Sequence, residues 1–225
     1  MKKILFVSSD LPDIAREKLS VKYDIRLLPP CGALPAPVSK HADMLTGVLD
    51  GRLITTRSYY EKNRELFCGA DPVLTDEEYG GEYPFDVLLD FIDAGTAVIG
   101  LEKHITARAK TKRIINVKQG YTRCSALVGR DFAVSADKGI LSALESLGYD
   151  TLRISPGYIA LPGYDCGFIG GASFCDGGDV YFFGSLSYHK DGESIKKFLH
   201  GHGAEIYELY NAPLIDLGGA VTVCG

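Results

Sequence analysis

Cysteine and histidine are the residues of this 225-residue chain that could supply a nucleophile or an acid–base group. The six cysteines include no CxxC pair and no Cys–His spacing typical of structural zinc, so we predict no metal site and no cofactor. A single thiol can instead act as a nucleophile once it becomes a thiolate. The cysteines are Cys31, Cys68, Cys124, Cys166, Cys175 and Cys224.

Cys124 is a candidate nucleophile because it stands at the start of a predicted hairpin, and Arg123 beside it is expected to lower the pKa of its thiol. The alternative is that Cys124 is a small buried hydrophobic residue, since free cysteine is among the most buried residue types. Cys224 is a rival nucleophile, although we expect the penultimate residue to lie on a mobile end. Two sulfurs close in space would instead indicate a redox sensor.

His41 and Asp43 form a candidate pair of polar side chains. Two residues apart on a predicted strand, they would face the same side. The alternative is a polar entry to that strand, with His41 exposed and Asp43 capping a turn. Among the other histidines, His200 and His202 lie near a predicted helix end, where the helix dipole favours a cation.

These side chains must be positioned by an α/β fold. The chain opens as a strand at 3–8, a helix at 11–20 capped by Asp10, and a strand at 22–28. Three later segments repeat one pattern, in which two strands joined by a Gly-containing turn precede a helix. The strand pairs and helices are 43–49, 52–56 and 59–67; 125–128, 131–135 and 137–144; and 172–175, 180–183 and 194–199.

Further strands complete the predicted architecture of one domain over residues 1–225. Strands at 151–154 and 205–209 follow the second and third helices. Residues 84–118 contain apolar runs that indicate a degraded unit of the same kind. The apolar run 213–223 predicts a final strand that closes the ring of units.

The repeated units, together with His41-Ala42-Asp43-Met44, resemble the pentein superfamily of guanidine-modifying enzymes, which includes arginine and agmatine deiminases. The runs 119–125, 163–173 and 213–219 more closely resemble an uncharacterised bacterial family grouped with that fold. This closer resemblance covers most of the chain. It implies an α/β propeller of ββαβ repeats around a pseudo-fivefold axis, with any active site at the centre.

The resemblance implies roles for six residues. Cys124 would attack the guanidinium carbon, His41 would act as the acid–base group, and Asp43 would hold the cation, because carboxylates bind a planar multi-donor cation well. Deiminases often have Glu-Gly-Gly-Asp where this chain has Gly170-Gly171-Ala172-Ser173. A second carboxylate would therefore have to come from Asp165 or Asp216. Arg123 completes the set of expected substrate-binding residues.

Two functions follow from the resemblance. The first is a cysteine-dependent hydrolase or transferase acting on a small guanidinium or amidine compound. The second is a non-catalytic binding module, a role that the ribosome anti-association factor with this architecture illustrates. In that case the irregular segments 29–40 and 68–84 would form a partner surface.

Composition restricts the other functions. The net charge of −5 has no stripe of Lys and Arg, so nucleic acid is not an expected partner. The apolar run 4–7 is too short for a secretory signal, and no apolar stretch approaches the roughly 20 residues of a membrane helix. We therefore expect a cytoplasmic protein with a small-molecule ligand and no membrane partner. The sequence does not predict an oligomeric state.

Overall fold

A computed structural model describes residues 2–223, which form fifteen short strands. The strands fall into five sheets of three, arranged around a pseudo-fivefold axis. In chain order they are β1 Lys3–Ser8, β2 Tyr23–Leu28, β3 Gly47–Leu49, β4 Arg52–Thr56, β5 Val73–Thr75, β6 Ile92–Asp93, β7 Ala97–Gly100, β8 Arg113–Asn116, β9 Ala126–Val128, β10 Phe132–Ser135, β11 Asp150–Arg153, β12 Ser173–Asp176, β13 Asp179–Phe182, β14 Glu205–Glu208 and β15 Ala220–Val223.

Every sheet has the same topology. Its central strand pairs antiparallel with one strand and parallel with another that follows a crossover. The antiparallel pair is a hairpin in four sheets, whereas in the remaining sheet it joins β1 to β15. The first unit is β15-β1-β2, and the others are β3-β4-β5, β6-β7-β8, β9-β10-β11 and β12-β13-β14, numbered second to fifth here. The predicted architecture of ββαβ units is thus confirmed.

The hairpin turns of the second, third and fifth units contain residues with positive φ. Asp50 and Gly51 adopt φ values of 54° and 71°, as the favoured two-residue turn requires. The turn sets the register of β3 on β4, in which Leu49 lies opposite Arg52. The Gly-containing turns were therefore reliable markers of the predicted hairpins.

The described part of the chain contains five α-helices, which are α1 Asp13–Ser20, α2 Ala42–Leu45, α3 Arg57–Lys62, α4 Lys138–Glu145 and α5 Gly192–Gly201. Asp137 caps α4 by accepting a hydrogen bond from the backbone N–H of Ile140 at 2.9 Å. Both α4 and α5 bury apolar side chains on one face, as their helical spacing predicts. In the described range 2–223, no helix has the length and apolar character needed to cross a membrane.

Two predicted helix boundaries were wrong. Asp10 does not cap α1, because its side chain instead accepts a hydrogen bond from Lys40 at 2.6 Å, and the helix begins after Pro12. The helix predicted at 59–67 ends early, since the Asn63 side-chain amide donates to the Tyr59 carbonyl. A 3₁₀ turn, Arg64–Phe67, continues the chain. Side-chain bonds to the backbone compete with the helix at this point.

The degraded unit predicted in 84–118 is the third unit. Its sheet forms, but a 3₁₀ turn, Ala109–Thr111, replaces the crossover α-helix. Glu77 accepts the backbone N–H of Ala107 at 2.6 Å, and the Thr106 hydroxyl accepts the N–H of Arg108. These bonds use donors that a helix would need, which explains the missing helix.

The final run closes the ring, although its strand is shorter than predicted. β15 pairs antiparallel with β1, so that Val221 lies opposite Phe6 and the last strand completes the first unit. Residues 213–219 precede β15 in an irregular segment, in which Ile215 forms an isolated bridge with Ala160. This segment carries Asp216 to the centre of the molecule.

Candidate active site

His41 and Asp43 lie at the entrance to the second unit, but not on a strand as predicted. Residues 42–45 form the single turn α2, with His41 as its N-cap, and β3 starts only at Gly47. The Asp43 backbone N–H donates to the Gly218 carbonyl at 2.9 Å, so the turn is held against the segment before β15. Both side chains are buried, with total exposures of 4% for His41 and 1% for Asp43.

The Asp43 carboxylate is buried, and within residues 2–223 it accepts no hydrogen bond. Neither of its oxygens has a hydrogen-bond partner among residues 2–223. The Nδ1 atom of His41 is 3.9 Å from Asp43 Oδ1, which is an ionic distance and too long for a hydrogen bond. Buried polar atoms are nearly always bonded, so this carboxylate indicates a site for a donor-bearing ligand.

Asp216 lies beside this pair and is held by backbone donors. Its Oδ2 accepts the N–H of Phe168 and its Oδ1 accepts the N–H of Gly218, both at 2.9 Å. Asp216 Oδ1 is also 3.7 Å from His41 Nδ1. Burial and the negative charge of Asp43 raise the pKa of Asp216, although His41 and the backbone donors oppose the shift.

Cys124 reaches the same cluster from the fourth unit. Its thiol donates a hydrogen bond to Asp216 Oδ2 at 3.4 Å, and the residue is 6% exposed. Burial, followed by the charges of Asp216, Asp43 and Asp90, raises the pKa of the Cys124 thiol well above its ordinary value. The prediction that Arg123 lowers this pKa was therefore wrong, because three carboxylates surround the sulfur.

Asp90 is a site residue that we did not predict. It is fully buried, and its Oδ1 accepts the backbone N–H groups of Arg123 at 2.5 Å and Cys124 at 3.2 Å. Burial and the charge of Asp43 raise the pKa of Asp90, while Arg123 opposes the shift. The signal in the sequence was a charged residue within the apolar run Val87-Leu88-Leu89-Asp90-Phe91.

Arg123 points away from the sulfur. Its Nη1 donates to the Thr46 carbonyl at 2.9 Å, and its Nη2 has no partner among residues 2–223. The side chain lines a cavity of about 620 Å³ that runs between the hairpin strands. Asp43 lines this axial cavity and also a second, smaller cavity that Cys124 lines.

The smaller cavity, of about 110 Å³, has a polar floor and apolar walls. His41, Asp43 and Cys124 supply the polar groups. The walls are Val38, Met44, Tyr121, Leu161, Tyr164, Cys166 and Phe168. Tyr121 is fixed by a 2.7 Å hydrogen bond from its hydroxyl to the buried Asp86, and its ring centroid is 6.4 Å from that of Phe168. Small ligands commonly bind in such concave apolar sites with a few convergent polar groups.

A family model matches residues 6–221 and describes a family of unknown function, DUF6873. The chain belongs to DUF6873. A search of curated protein sequences finds no match for this DUF6873 chain.

Solved structures establish the fold of the DUF6873 chain. Dimethylarginine dimethylaminohydrolase from Pseudomonas aeruginosa, in complex with citrulline, is 13% identical with a TM-score of 0.58, and the alignment covers 100% of both chains. C. jejuni agmatine deiminase is 11% identical with a TM-score of 0.58, and the alignment covers 100% of this chain and 94% of the other. The DUF6873 chain therefore has the pentein fold that the sequence resemblance implied.

Four of the six predicted site residues line or contact the cluster in this DUF6873 chain: His41, Asp43, Cys124 and Asp216. Arg123 contributes its backbone N–H to Asp90, whereas its guanidinium faces the axial cavity. Asp165 is exposed and lines neither cavity, so of the two predicted sources of a second carboxylate the structure brings only Asp216 to the centre. Cys224 lies outside the described residues.

The glycines of the fifth unit explain how Asp216 fits. A Cβ atom on Gly171 would overlap the Asp216 carboxylate, and one on Gly170 would overlap the backbone carbonyls of Arg123 and Cys124. The chain has glycine here because two backbones and a carboxylate share the space.

The same cluster also contains possible metal ligands. One ligand atom from each of His41, Asp43 and Asp216 lies within 4.8 Å of the other two. Two carboxylates and an imidazole suit a divalent cation. They equally suit an organic cation, which the aromatic walls favour further. The five cysteines within residues 2–223 are all free.

Proposed function

We propose that this protein is a cysteine-dependent hydrolase or transferase acting on a small guanidinium or amidinium compound. The observation that carries the proposal is the Asp43 carboxylate, which is buried and has no hydrogen-bond partner among residues 2–223, in a residue that lines the same cavity as Cys124. A planar cation with several N–H groups supplies the donors that this carboxylate lacks.

The charge balance of the cluster favours a cation. Asp43, Asp90 and Asp216 bring three buried carboxylates together, and the charge of Arg123 opposes the raised pKa of one of them, Asp90. A buried carboxylate without a counter-charge is costly, and binding of a cation recovers part of that cost. The aromatic faces of Tyr121 and Phe168 add a favourable cation–π contribution.

Cation binding would also activate the nucleophile. The carboxylates around Cys124 raise the pKa of its thiol, so the thiol form predominates at neutral pH before a cation binds. A guanidinium placed against Asp43 offsets these negative charges and lowers the pKa of the thiol. The thiolate would then form chiefly when a substrate is bound, which protects the cysteine from other electrophiles.

The chemistry can be written with these residues alone. The Cys124 thiol gives up its proton, which passes by way of Asp216 to His41, while Sγ forms a bond to the guanidinium carbon. His41 returns the proton to the departing nitrogen, the C–N bond breaks, and an amine or ammonia leaves a cationic thiouronium on Cys124.

A second addition completes turnover. Water adds to the thiouronium carbon, gives a proton to His41, and the C–S bond breaks to release a urea and restore the thiol. The sum for hydrolysis of a guanidinium is one water consumed, with a urea and an ammonium ion formed. A transferase would use an amine in place of water at this step.

The comparisons add support at the level of the fold. The two solved proteins named above are, by name, enzymes that act on dimethylarginine and on agmatine, and both compounds carry a guanidino group. Sequence identities of 11–13% transfer the fold to this chain and not the activity. The proposal therefore depends on the acidic cluster and on Cys124.

The second candidate function is binding of the same cation without turnover. The raised pKa of Cys124 favours it, since a thiol that stays protonated in the complex would not attack. The unsatisfied Asp43 carboxylate serves both functions equally. The two candidates therefore differ in the fate of the sulfur and not in the ligand.

Calorimetry with guanidinium compounds, combined with an assay for released ammonia, separates the candidates. EDTA in all buffers removes trace metal from the His41–Asp43–Asp216 group. We expect binding, ammonia release, and a covalent adduct on Cys124 that mass spectrometry detects after an acid quench. The Cys124→Ala variant should bind the cation and release no ammonia, while Cys175→Ser, a control at a partly buried thiol in β12, should remain active.

Each outcome of this experiment has a clear meaning. If the protein binds the cation but releases no ammonia and forms no adduct, even when amines are supplied as acceptors for a transferase reaction, it is a binding module. No binding of any guanidinium or amidinium compound would overturn both candidates.

A further inference from the structure

The cavity around Cys124 provides little that could hold an anion. Among its ten lining residues, His41 is the one side chain that can carry a positive charge, and it already lies near two carboxylates. The walls are otherwise aromatic, aliphatic or sulfur-containing. A carboxylate on the substrate would therefore find no cationic side chain within the cavity.

The cations that neighbour the site residues in the sequence do not line this cavity. Lys40, which precedes His41, donates to Asp10 at 2.6 Å. The guanidinium of Arg123 donates to the Thr46 carbonyl and lines the axial cavity instead. Neither side chain lines the smaller cavity.

Acidic groups flank the apolar walls. Asp165 is exposed at the surface, between the lining residues Tyr164 and Cys166. Asp86 is buried behind Tyr121, and its Oδ1 has no partner among the residues that the structure describes. These charges would repel a ligand carboxylate, which is how a site discriminates against a competing ligand.

The size of the cavity restricts the part of the ligand that it encloses. A dry cavity of about 150 Å³ holds a benzene molecule. A cavity of about 110 Å³ therefore encloses a guanidinium or amidinium head with one or two further atoms. Tyr164, which is 44% exposed, marks the side on which a longer substituent would reach the surface.

From these features we infer that the ligand is an alkylguanidinium or alkylamidinium that carries no carboxylate group. The inference rests on the proposed function and specifies its substrate class. It excludes guanidino amino acids, in which the cationic head is joined to an α-carboxylate. Ligands with a carboxylate are disfavoured by the acidic surroundings and by the lack of a cationic side chain among the cavity's lining residues. The cationic head group is held by Asp43 and Asp216 whether or not the ligand carries a carboxylate.

Two matched pairs of ligands test this inference. Agmatine and arginine differ only in the carboxylate, and so do methylguanidine and guanidinoacetate. Calorimetry at one pH and ionic strength should give each carboxylate-free compound an affinity at least about tenfold higher than that of its partner, which corresponds to about 1.4 kcal/mol. The Asp43→Asn variant should lose most of the agmatine affinity, which locates the binding in this cavity.

The outcomes distinguish the inference from the proposed function. If arginine or guanidinoacetate binds as well as its partner, the inference is wrong and the proposed function stands. If Asp43→Asn binds agmatine as tightly as the original protein, agmatine binds elsewhere and the inference is also wrong. If neither these four compounds nor any other guanidinium or amidinium compound binds, the proposed function itself fails.

Discussion

The thiol of Cys124 donates a hydrogen bond of 3.4 Å to the carboxylate of Asp216. The two residues are 92 positions apart in the sequence. Cys124 precedes the fourth unit, and Asp216 precedes β15, the strand that completes the first unit. Their contact thus depends on closure of the ring. A thiol bonded to a buried carboxylate is held in its protonated form, so the state of the nucleophile is coupled to whatever neutralises the acidic cluster.

The first prediction concerns ionisation of Cys124. We expect the thiol to titrate with a pKa above the ordinary value of about 8.5, because burial and three carboxylates disfavour the thiolate. Agmatine should lower this pKa, and activity should rise with pH until the thiol of the complex has ionised. The measurement is thiolate ultraviolet absorbance against pH, as the difference between the protein and its Cys124→Ser variant.

A Cys124 thiol that is already ionised near neutral pH without ligand would contradict this account. Selective alkylation near neutral pH is therefore a poor test of catalysis by Cys124, because the thiol stays protonated until a cation binds. Cys68 is exposed, so it should react with a neutral alkylating agent before Cys124 does.

Local signals in the sequence were sufficient for the repeated units. Asp50-Gly51 and Gly177-Gly178 stand at hairpin turns, and the apolar spacing of 140–144 predicts the buried face of α4, because turn conformation and helical periodicity are set by neighbouring residues. The third unit was harder to recognise, since side-chain bonds from Glu77 to a distant part of the chain replace its helix.

The site was also only partly predictable, because several of its contacts join distant parts of the chain. His41, Asp43 and Cys124 stand just before hairpin strands, a position that the repeat reveals. Asp90 stands there too, but its role depends on a contact with the backbone of Cys124 in another unit. The pKa of Cys124 follows from carboxylates of three different units, so the adjacent Arg123 gave the wrong sign. Charge interactions act through space, and a pattern along the chain does not report them.

The second prediction is that Asp43→Asn stabilises the protein and weakens ligand binding. The substitution removes a buried charge whose oxygens have no donor, so the free energy of unfolding should rise by about 1–3 kcal/mol. For a chain of this size each kcal/mol raises the melting temperature by roughly 2–4 °C. The expected loss of affinity for a cation is about tenfold or more, since a charged hydrogen bond is lost.

Thermal unfolding and calorimetry of the same sample measure both effects. Asp13→Asn, at an exposed aspartate in α1, is the matched control and should change stability by less than about 0.5 kcal/mol. A destabilised Asp43→Asn protein would show that the carboxylate serves the fold rather than a ligand.

The third prediction assigns Asp90 a positioning role. Asp90→Ala leaves the backbone N–H groups of Arg123 and Cys124 without an acceptor, which costs about 1–3 kcal/mol for each group. We expect kcat to fall with little change in KM, because the nucleophile moves while the cation-binding groups remain. Asp90→Asn keeps an acceptor oxygen and should restore most of kcat, a rescue that a role for the charge itself would not allow.

Asp90→Asn also provides a test of pH dependence. Burial and the charge of Asp43 raise the pKa of Asp90 in the folded protein. A raised carboxyl pKa contributes stability below the unfolded value of about 3.9, and this contribution is lost as pH rises through the folded value. Urea unfolding should therefore show Asp90→Asn gaining stability relative to the original protein as pH rises from 4 towards neutral. A constant difference across this range would contradict the raised pKa.

The fourth prediction concerns the space beside Asp216. A methyl group at Gly171 would overlap the Asp216 carboxylate, so Gly171→Ala must displace the side chain that receives the Cys124 thiol bond. We expect a loss of about 1–3 kcal/mol in stability and a fall in turnover of tenfold or more. Gly178→Ala is the matched control in the same unit, because a Cβ atom there meets no other atom within 4 Å. Ammonia release and urea unfolding compare the two variants, and equal behaviour of both would show that Asp216 is not held in the close packing described here.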